Sequence, residues 1–312
     1  MNILEQLQTL LGKLVQHHKN ISHYLTLRTK TTAEYYFEAE SREDWKDAYL
    51  ATKVLDIPLF VLGGGSNMAV LHDEIPGLVV RNMYQKKAVI KETDEYVHIL
   101  FSSGYAMARV VKETTDAGYE GFEYHMGLPG TVGGAIYMNS KWTKPVSYIG
   151  DNLVSATLLD KDGKIKLVTK DYFKFAYDYS ILQQTKEILL EGTFLLKKSD
   201  SVVLKERAIA SLEYRKQTQP YGVATGGCFF QNIGEANAKR LGFATASAGN
   251  LIDKAGLKGK NCGGFIVSEK HANFIVNTGE GKAEDLVKLL NIVKTTVKEK
   301  FDVELHEEVV IV

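Results

Sequence analysis

Two glycine-rich segments, Leu62-Gly63-Gly64-Gly65-Ser66-Asn67 and Gly127-Leu128-Pro129-Gly130-Thr131-Val132-Gly133-Gly134-Ala135, set the tightest limit on what this chain can fold into. Each crowds several residues without a Cβ into one turn, so successive backbone N–H groups can gather around an anion. Neither is a P-loop, since no G-x-x-x-x-G-K-[ST] occurs, and neither has the G-x-G-x-x-G spacing of a Rossmann turn. A single loop of this kind is equally well explained as a tight turn. Two in one chain suggest a ligand with two phosphates, such as a dinucleotide.

The sequence around the loops alternates between strand and helix patterns. Ile3, Leu4, Leu7, Leu10, Leu11, Leu14 and Val15 fall at helical spacing. A β-like stretch near Tyr35 to Glu38, a helix around Arg42 to Leu55 and a short buried strand, Pro58 to Leu62, lead into the first loop, with Leu78 to Val80 as the next strand. Val97 to Phe101 reads as a strand, and Met107, Val110, Val111 and Thr114 share a helix face that Gly118 ends. Beyond the second loop the pattern predicts strands at Val154 to Leu159, Ile165 to Val168 and Ile188 to Leu196, the first two joined by Lys161-Asp162-Gly163-Lys164, a hairpin cue. Helices at Leu204 to Gln217 and Glu284 to Lys300, and a last strand at Val309 to Val312, complete the reading. It gives three α+β modules, at 1–85, 86–200 and 201–312, with the glycine loops in the first two.

Composition removes several functional classes. The 312 residues carry 38 basic and 38 acidic side chains, so no global field favours nucleic acid or an anionic membrane. Apolar runs such as Ile188-Leu189-Leu190 fall far short of the ~20 residues of a membrane span. The start lacks the basic and apolar regions of a secretory signal. With only Cys228 and Cys262, a disulfide scaffold or multi-cysteine metal site is not expected, and a reducing cytoplasm is. The eight histidines show no ligand spacing, so no metal is expected.

Several segments in series resemble the UDP-N-acetylenolpyruvoylglucosamine reductase (MurB) family. They are Pro58 to Asn67, Gly121-Phe122-Glu123 through Ala135, Met138-Asn139, Ala248 to Gly259, Ser268-Glu269-Lys270-His271-Ala272-Asn273-Phe274 and Leu305-His306-Glu307-Glu308-Val309. The similarity runs from about Ile21 to the end in the family's order, and the compact spacing after Gly227 is that of its shorter, type II members. The resemblance implies an α+β fold: a two-module flavin domain of the vanillyl-alcohol-oxidase (PCMH) type plus a carboxy-terminal MurB-type substrate domain. It implies noncovalent FAD held by Leu62, Gly63, Gly64, Gly65, Ser66, Asn67, Met68, Gly127, Pro129, Gly130, Thr131, Gly133, Gly134, Ala135 and Asn139. It also implies NADPH as reductant and a nucleotide-sugar substrate, UDP-N-acetylglucosamine enolpyruvate, met by Tyr177, Lys216, Asn232 and Lys258. The activity would belong to peptidoglycan precursor synthesis, carried out by a cytoplasmic monomer.

In the family, a serine donates a proton while an arginine and a glutamate manage the charge that hydride addition creates. Glu308 matches the glutamate, the alternative being a surface carboxylate beside Glu304 and Glu307. Cys228, in Gly227-Cys228-Phe229-Phe230, takes the serine position. A thiol of ordinary pKa ~8.5 is mostly protonated near neutrality and can serve as the donor. Its alternative is a small buried hydrophobe, the reading given to Cys262. Asp178, in Tyr177-Asp178-Tyr179-Ser180, stands where the family has arginine, which reverses a charge beside a carboxylate-bearing substrate. Three explanations fit: another cation replaces the arginine, the register differs, or the protein does not reduce this substrate. The last would leave a flavin-binding protein with lost or altered catalysis, or a flavin oxidase acting elsewhere.

Other departures gather at the cofactor rim and substrate pocket. Arg28-Thr29-Lys30-Thr31-Thr32-Ala33 replaces a Gly-Gly-Pro turn, Asn139-Ser140-Lys141-Trp142 replaces Asn-Ala-Gly, and Ile233 follows Asn232 where proline is common. Thr218 replaces a lysine, although Arg215 and Lys216 are near enough to offer charge to a diphosphate; an exposed helix end accounts for them equally well.

Overall fold

A computed structural model describes residues 1–279 and 281–312. Helix Ile3–Leu11 opens the chain behind a capping box of Asn2 and Glu5. Its apolar periodicity runs on to Val15, but Gly12 adopts φ +59 and its N–H closes on Gln8 O. Leu14 is therefore exposed, and Val15 reaches the core from outside the helix. Helix Arg42–Leu55 has the expected span, with the Ser41 side chain accepting from Asp44 N and Asp56 ending it in the left-handed conformation.

The chain forms two compact units. Unit one comprises Met1–His17, Glu34–Gly64 and Pro76–Arg215, and unit two comprises His18–Ala33, Gly65–Ile75 and Lys216–Val312. Both cut across the linear modules, because two short early segments belong with the carboxy-terminal part. The first glycine loop itself straddles the cut.

Unit one has two apolar cores. One gathers Leu7, Phe37, Trp45, Ala48, Leu78 and Val80, joined by Leu159, Ile188 and Leu190. The other packs Ile99, Phe101, Val110, Phe122, Ile136 and Phe194. In the first sheet the order is Gln16–Asn20, Thr32–Ala39, Glu74–Asn82, Leu59–Leu62, the last two parallel with Leu62 opposite Arg81. The second sheet is antiparallel in the order Ile165–Thr169, Leu153–Leu159, Ile188–Lys198, Tyr96–Ser102, Lys87–Glu92, with Tyr119–Glu120 added to Ile188–Lys198. The expected hairpin closes at Leu159 opposite Ile165. Asp160 Oδ1 accepts the N–H groups of Asp162 and Lys164, and Gly163 sits at φ +76.

Unit two has one core, centred on Phe229, Leu251, Ile252, Phe265, Leu286 and Val293. Helix Ala283–Phe301 buries the expected stripe of Leu286, Leu289, Leu290, Val293 and Val297. The antiparallel sheet orders Ala224–Cys228, Phe274–Asn277, Phe265–Val267, Asn261–Cys262. The expected last strand shortens to Val310–Ile311, which pairs in parallel with Met68–Ala69. Among the described residues no helix is long and apolar enough to cross a membrane.

Candidate functional site

The two glycine loops meet backbone to backbone in unit one. Gly63 and Gly64 leave the strand Leu59–Leu62 directly against the second loop. A Cβ built on Gly64 would lie 2.4 Å from Gly130 Cα, and one on Gly63 would lie 3.1 Å from Thr131 Oγ1. Only residues without side chains allow that approach. Gly130 adopts φ +97, and its carbonyl accepts from Met107 N at 3.0 Å, which fixes the second loop to helix Met107–Asp116. The result is a close main-chain junction of the two loops.

Not every residue expected to face the cofactor is free to do so. Val132 N–H donates to Tyr105 O at 2.9 Å and Gly133 N–H to Ser103 O at 2.8 Å, while Thr131 caps Gly134. These amides anchor the short helix Val132–Tyr137, leaving Gly63, Gly64, Gly130 and Thr131 at the meeting point of the loops. Leu62 is fully buried behind them, and Ala135 packs in the neighbouring core. Gly127, at φ +81, lies against the helix residues Leu212 and Arg215, where a Cβ would meet Leu212 Cδ1 at 2.9 Å and Arg215 Cδ at 3.2 Å. The Arg215 guanidinium lies 4.8 Å from the Trp142 ring centroid.

Asn139, at φ +48 and buried, spends its side-chain amide inside the protein. Its Nδ2 donates to Ala176 O at 3.0 Å, and its Oδ1 accepts from Gly150 N at 3.1 Å. It thereby holds the turn that bears Tyr177 and Asp178. That turn closes through reciprocal bonds between Ala176 and Tyr179, and Gln183 Nε2 donates to Asp178 O at 2.8 Å. Asp178 is left-handed, at φ +49, and 8% exposed, with no hydrogen-bond partner on Oδ2. Burial pushes its carboxyl above the ordinary range, against the opposing pull of the Tyr177 side chain and the Lys141 charge. Lys141 places its ammonium 5.4 Å from the Tyr177 ring and 5.6 Å from the Tyr148 ring.

Unit two assembles the other expected residues. Cys228 ends the strand Ala224–Cys228, opposite Phe274, after Gly227 at φ +88. The next residue, Phe229, accepts from Glu308 N at 2.8 Å, and Gln231 N donates to His306 O at 2.9 Å. Cys228 and Glu308 therefore lie on hydrogen-bonded neighbouring segments, both half-buried. The second half of the first glycine loop joins them. Asn67 Nδ2 donates to Glu308 O at 3.3 Å, Val310 N donates to Asn67 O at 2.9 Å, and Met68 pairs with Val310. Gly65, at φ +59, is held so close to Tyr24 O that a Cβ would lie 2.3 Å from it, and Ser66 follows, half-buried. Of the three expected catalytic residues, Asp178 belongs to unit one and the other two to unit two.

The expected substrate residues of unit two are already engaged. Lys258 pairs with Asp253 at 2.7 Å, Asn232 Oδ1 accepts from Ala248 N at 3.3 Å, and Lys216 lies over Tyr221 with Nζ 5.8 Å from the ring centroid. Sequence reasoning passed over His125 and Lys141 as site candidates. His125 is 1% exposed with Nδ1 unpartnered and Nε2 3.2 Å from Ser147 Oγ, and burial, aided by Arg215, pushes it down to about 4. Nothing in its sequence context marks it, whereas Lys141 stood out as a departure from the family segment.

Two family models match the chain. Residues 33–169 match the model of an FAD binding domain, which defines the chain as a flavin-domain protein. Residues 219–312 match the C-terminal domain of UDP-N-acetylenolpyruvoylglucosamine reductase. The chain is 32% identical over 313 residues to the UDP-N-acetylenolpyruvoylglucosamine reductase of Bacillus velezensis, covering 100% of this chain and 98% of that one. The Bacillus subtilis reductase is 32% identical over 302 residues, covering 96% and 94%. The crystal structure of the reductase (MurB) from Thermus caldophilus matches with a TM-score of 0.75 at 29% identity, over 96% of this chain and 98% of that one. The chain belongs to the UDP-N-acetylenolpyruvoylglucosamine reductase family. The expected fold, a flavin domain followed by a carboxy-terminal domain of this family, is the observed one.

Proposed function

We propose that the protein reduces the enolpyruvyl group of UDP-N-acetylglucosamine enolpyruvate to give UDP-N-acetylmuramate, with noncovalent FAD and with NADPH as the electron source. The observation that carries this reading is the pairing of the Cys228 and Glu308 segments next to Asn67 of the first glycine loop. Bound FAD would supply hydride chemistry between NADPH and the enolpyruvyl double bond of the substrate. The main-chain cradle at Gly63, Gly64 and Gly130 suits the FAD diphosphate. The Cys228 thiol delivers a proton to the adjacent carbon, since a thiol keeps its proton near neutral pH yet releases it far more readily than an alcohol. Glu308 orients that donor and the substrate. The choice of NADPH rests on the family's chemistry, as does the assignment to peptidoglycan precursor synthesis by a cytoplasmic monomer. Balanced charge argues for a small-molecule substrate over nucleic acid or membrane.

The test is NADPH oxidation by purified, flavin-loaded protein, with and without UDP-N-acetylglucosamine enolpyruvate. Turnover that depends on this substrate supports the reading. The buried Asp178 favours a second reading, flavin and ligand binding without turnover. Substrate-induced change in flavin absorbance without NADPH oxidation would select it.

A further inference from the structure

We propose that Lys141 supplies, to the carboxylate of the enolpyruvyl substrate, the positive charge that arginine brings to the 178 position in the family pattern. The assignment rests on the reductase reading above and names the group that its charge balance lacks. Two departures from the family pattern, Asp178 for arginine and Ser140-Lys141-Trp142 for the usual Ala-Gly, are far apart in sequence yet neighbours in unit one. Asn139 ties them, because its Nδ2 bonds to Ala176 O at the base of the Tyr177–Asp178 turn. Lys141 then follows, with its ammonium between the Tyr148 and Tyr177 rings, 5.6 and 5.4 Å from their centroids. The negative faces of the two rings attract the ammonium and hold it in place. The negative group that would cancel this charge is Asp178, whose carboxyl is 8% exposed with one oxygen lacking any partner. Burial works against its ionisation, while the Tyr177 side chain and the Lys141 charge work for it.

The experiment uses flavin-loaded wild type, Lys141→Met, Lys141→Arg and the double variant Lys141→Met/Asp178→Arg. Dissociation constants are read from flavin absorbance changes for two ligands, UDP-N-acetylglucosamine enolpyruvate and UDP-N-acetylglucosamine, which lacks the carboxylate. Lys141→Met is expected to weaken the carboxylate-bearing ligand by about tenfold or more and leave the other within about twofold. Lys141→Arg is expected to stay within about threefold of wild type for both. The double variant is expected to recover most of the loss, which a merely structural role for Lys141 would not produce. Equal weakening of both ligands by Lys141→Met, or no weakening, overturns the assignment alone. A wild type that binds both ligands equally also overturns the assignment, whereas the absence of substrate-dependent NADPH oxidation overturns the reductase reading on which it rests.

Discussion

Gly64→Ala isolates the close approach of the two loops. The added Cβ would lie 2.4 Å from Gly130 Cα and 3.1 Å from Gly130 C, both main-chain atoms that cannot swing aside. Restoring an ordinary separation of ~3.5 Å moves one loop by about 1.1 Å. A hydrogen bond of ~2.9 Å from a loop amide to an FAD phosphate would stretch to ~4 Å and be lost. Each such charge-assisted bond is worth ~1.5–3 kcal/mol, so losing one weakens FAD by about 10- to 150-fold. Overpacking adds a stability cost of about 1–3 kcal/mol. The assay is the FAD dissociation constant of apoprotein, from quenching of flavin fluorescence. Gly134→Ala serves as the control, because its Cβ would meet only Thr131 Oγ1, at 3.9 Å, within the same loop. It should bind FAD as wild type does. A Gly64→Ala protein whose FAD affinity stays within about threefold of wild type would refute the cradle.

Further tests address the proposed proton donor and two buried ionisable groups. Cys228→Ala should lower turnover by about 10²–10⁴-fold while Cys228→Ser retains a substantial part, measured as substrate-dependent NADPH oxidation; an active alanine variant removes the donor role. His125 is held neutral, from an ordinary 6.5 down to about 4, so the unfolded chain binds more protons than the folded one between those values. Stability should be full above pH ~6.5 and fall by roughly 3 kcal/mol toward pH ~4, and His125→Gln should flatten that slope in urea titrations. Glu191 is 1% exposed and bonded to Arg42 and Tyr84, with Lys86 at 3.6 Å. Burial pushes its carboxyl up, but Arg42 and Tyr84 outweigh this and hold it below the ordinary range. Its stabilisation is therefore present above pH ~4.3 and lost on acidification through the folded value. Glu191→Gln should cost about 2–3 kcal/mol at pH 7, less than a fully buried pair because Arg42 is partly exposed, read from the urea midpoint.

The parts of the fold legible in the sequence were those with long periodicity or strong punctuation. Arg42–Leu55, Ala283–Phe301 and the Asp160–Lys164 hairpin carry their own caps, stripes or turn residues. Gln16–Asn20 carries none, since five polar residues make a strand only through their neighbours, and Lys87–Glu92 leaves Val89 and Ile90 exposed at a sheet edge. The sheet of unit two was missed because its strands are two to five residues long and Ala224–Cys228 contains two glycines. At the site, the glycine loops pointed to main chain able to gather around an anion, and the family pattern pointed to Cys228 and Glu308, which lie on hydrogen-bonded neighbouring segments. What sequence could not give was the use of each donor. Gly133 N–H and the Asn139 amide look identical, as text, whether they face a ligand or their own backbone.

The side-chain bond from Asn67 to Glu308 spans 241 positions. Joining segments so remote carries a chain-closure cost that grows with the logarithm of the span, and topologically distant pairings form late. The trailing half of the first turn should thus acquire its final shape near the end of maturation, after the helices and the hairpin. Pulse-labelled exchange that found the Val310 amide shielded before those of Arg42–Leu55 would reverse that order.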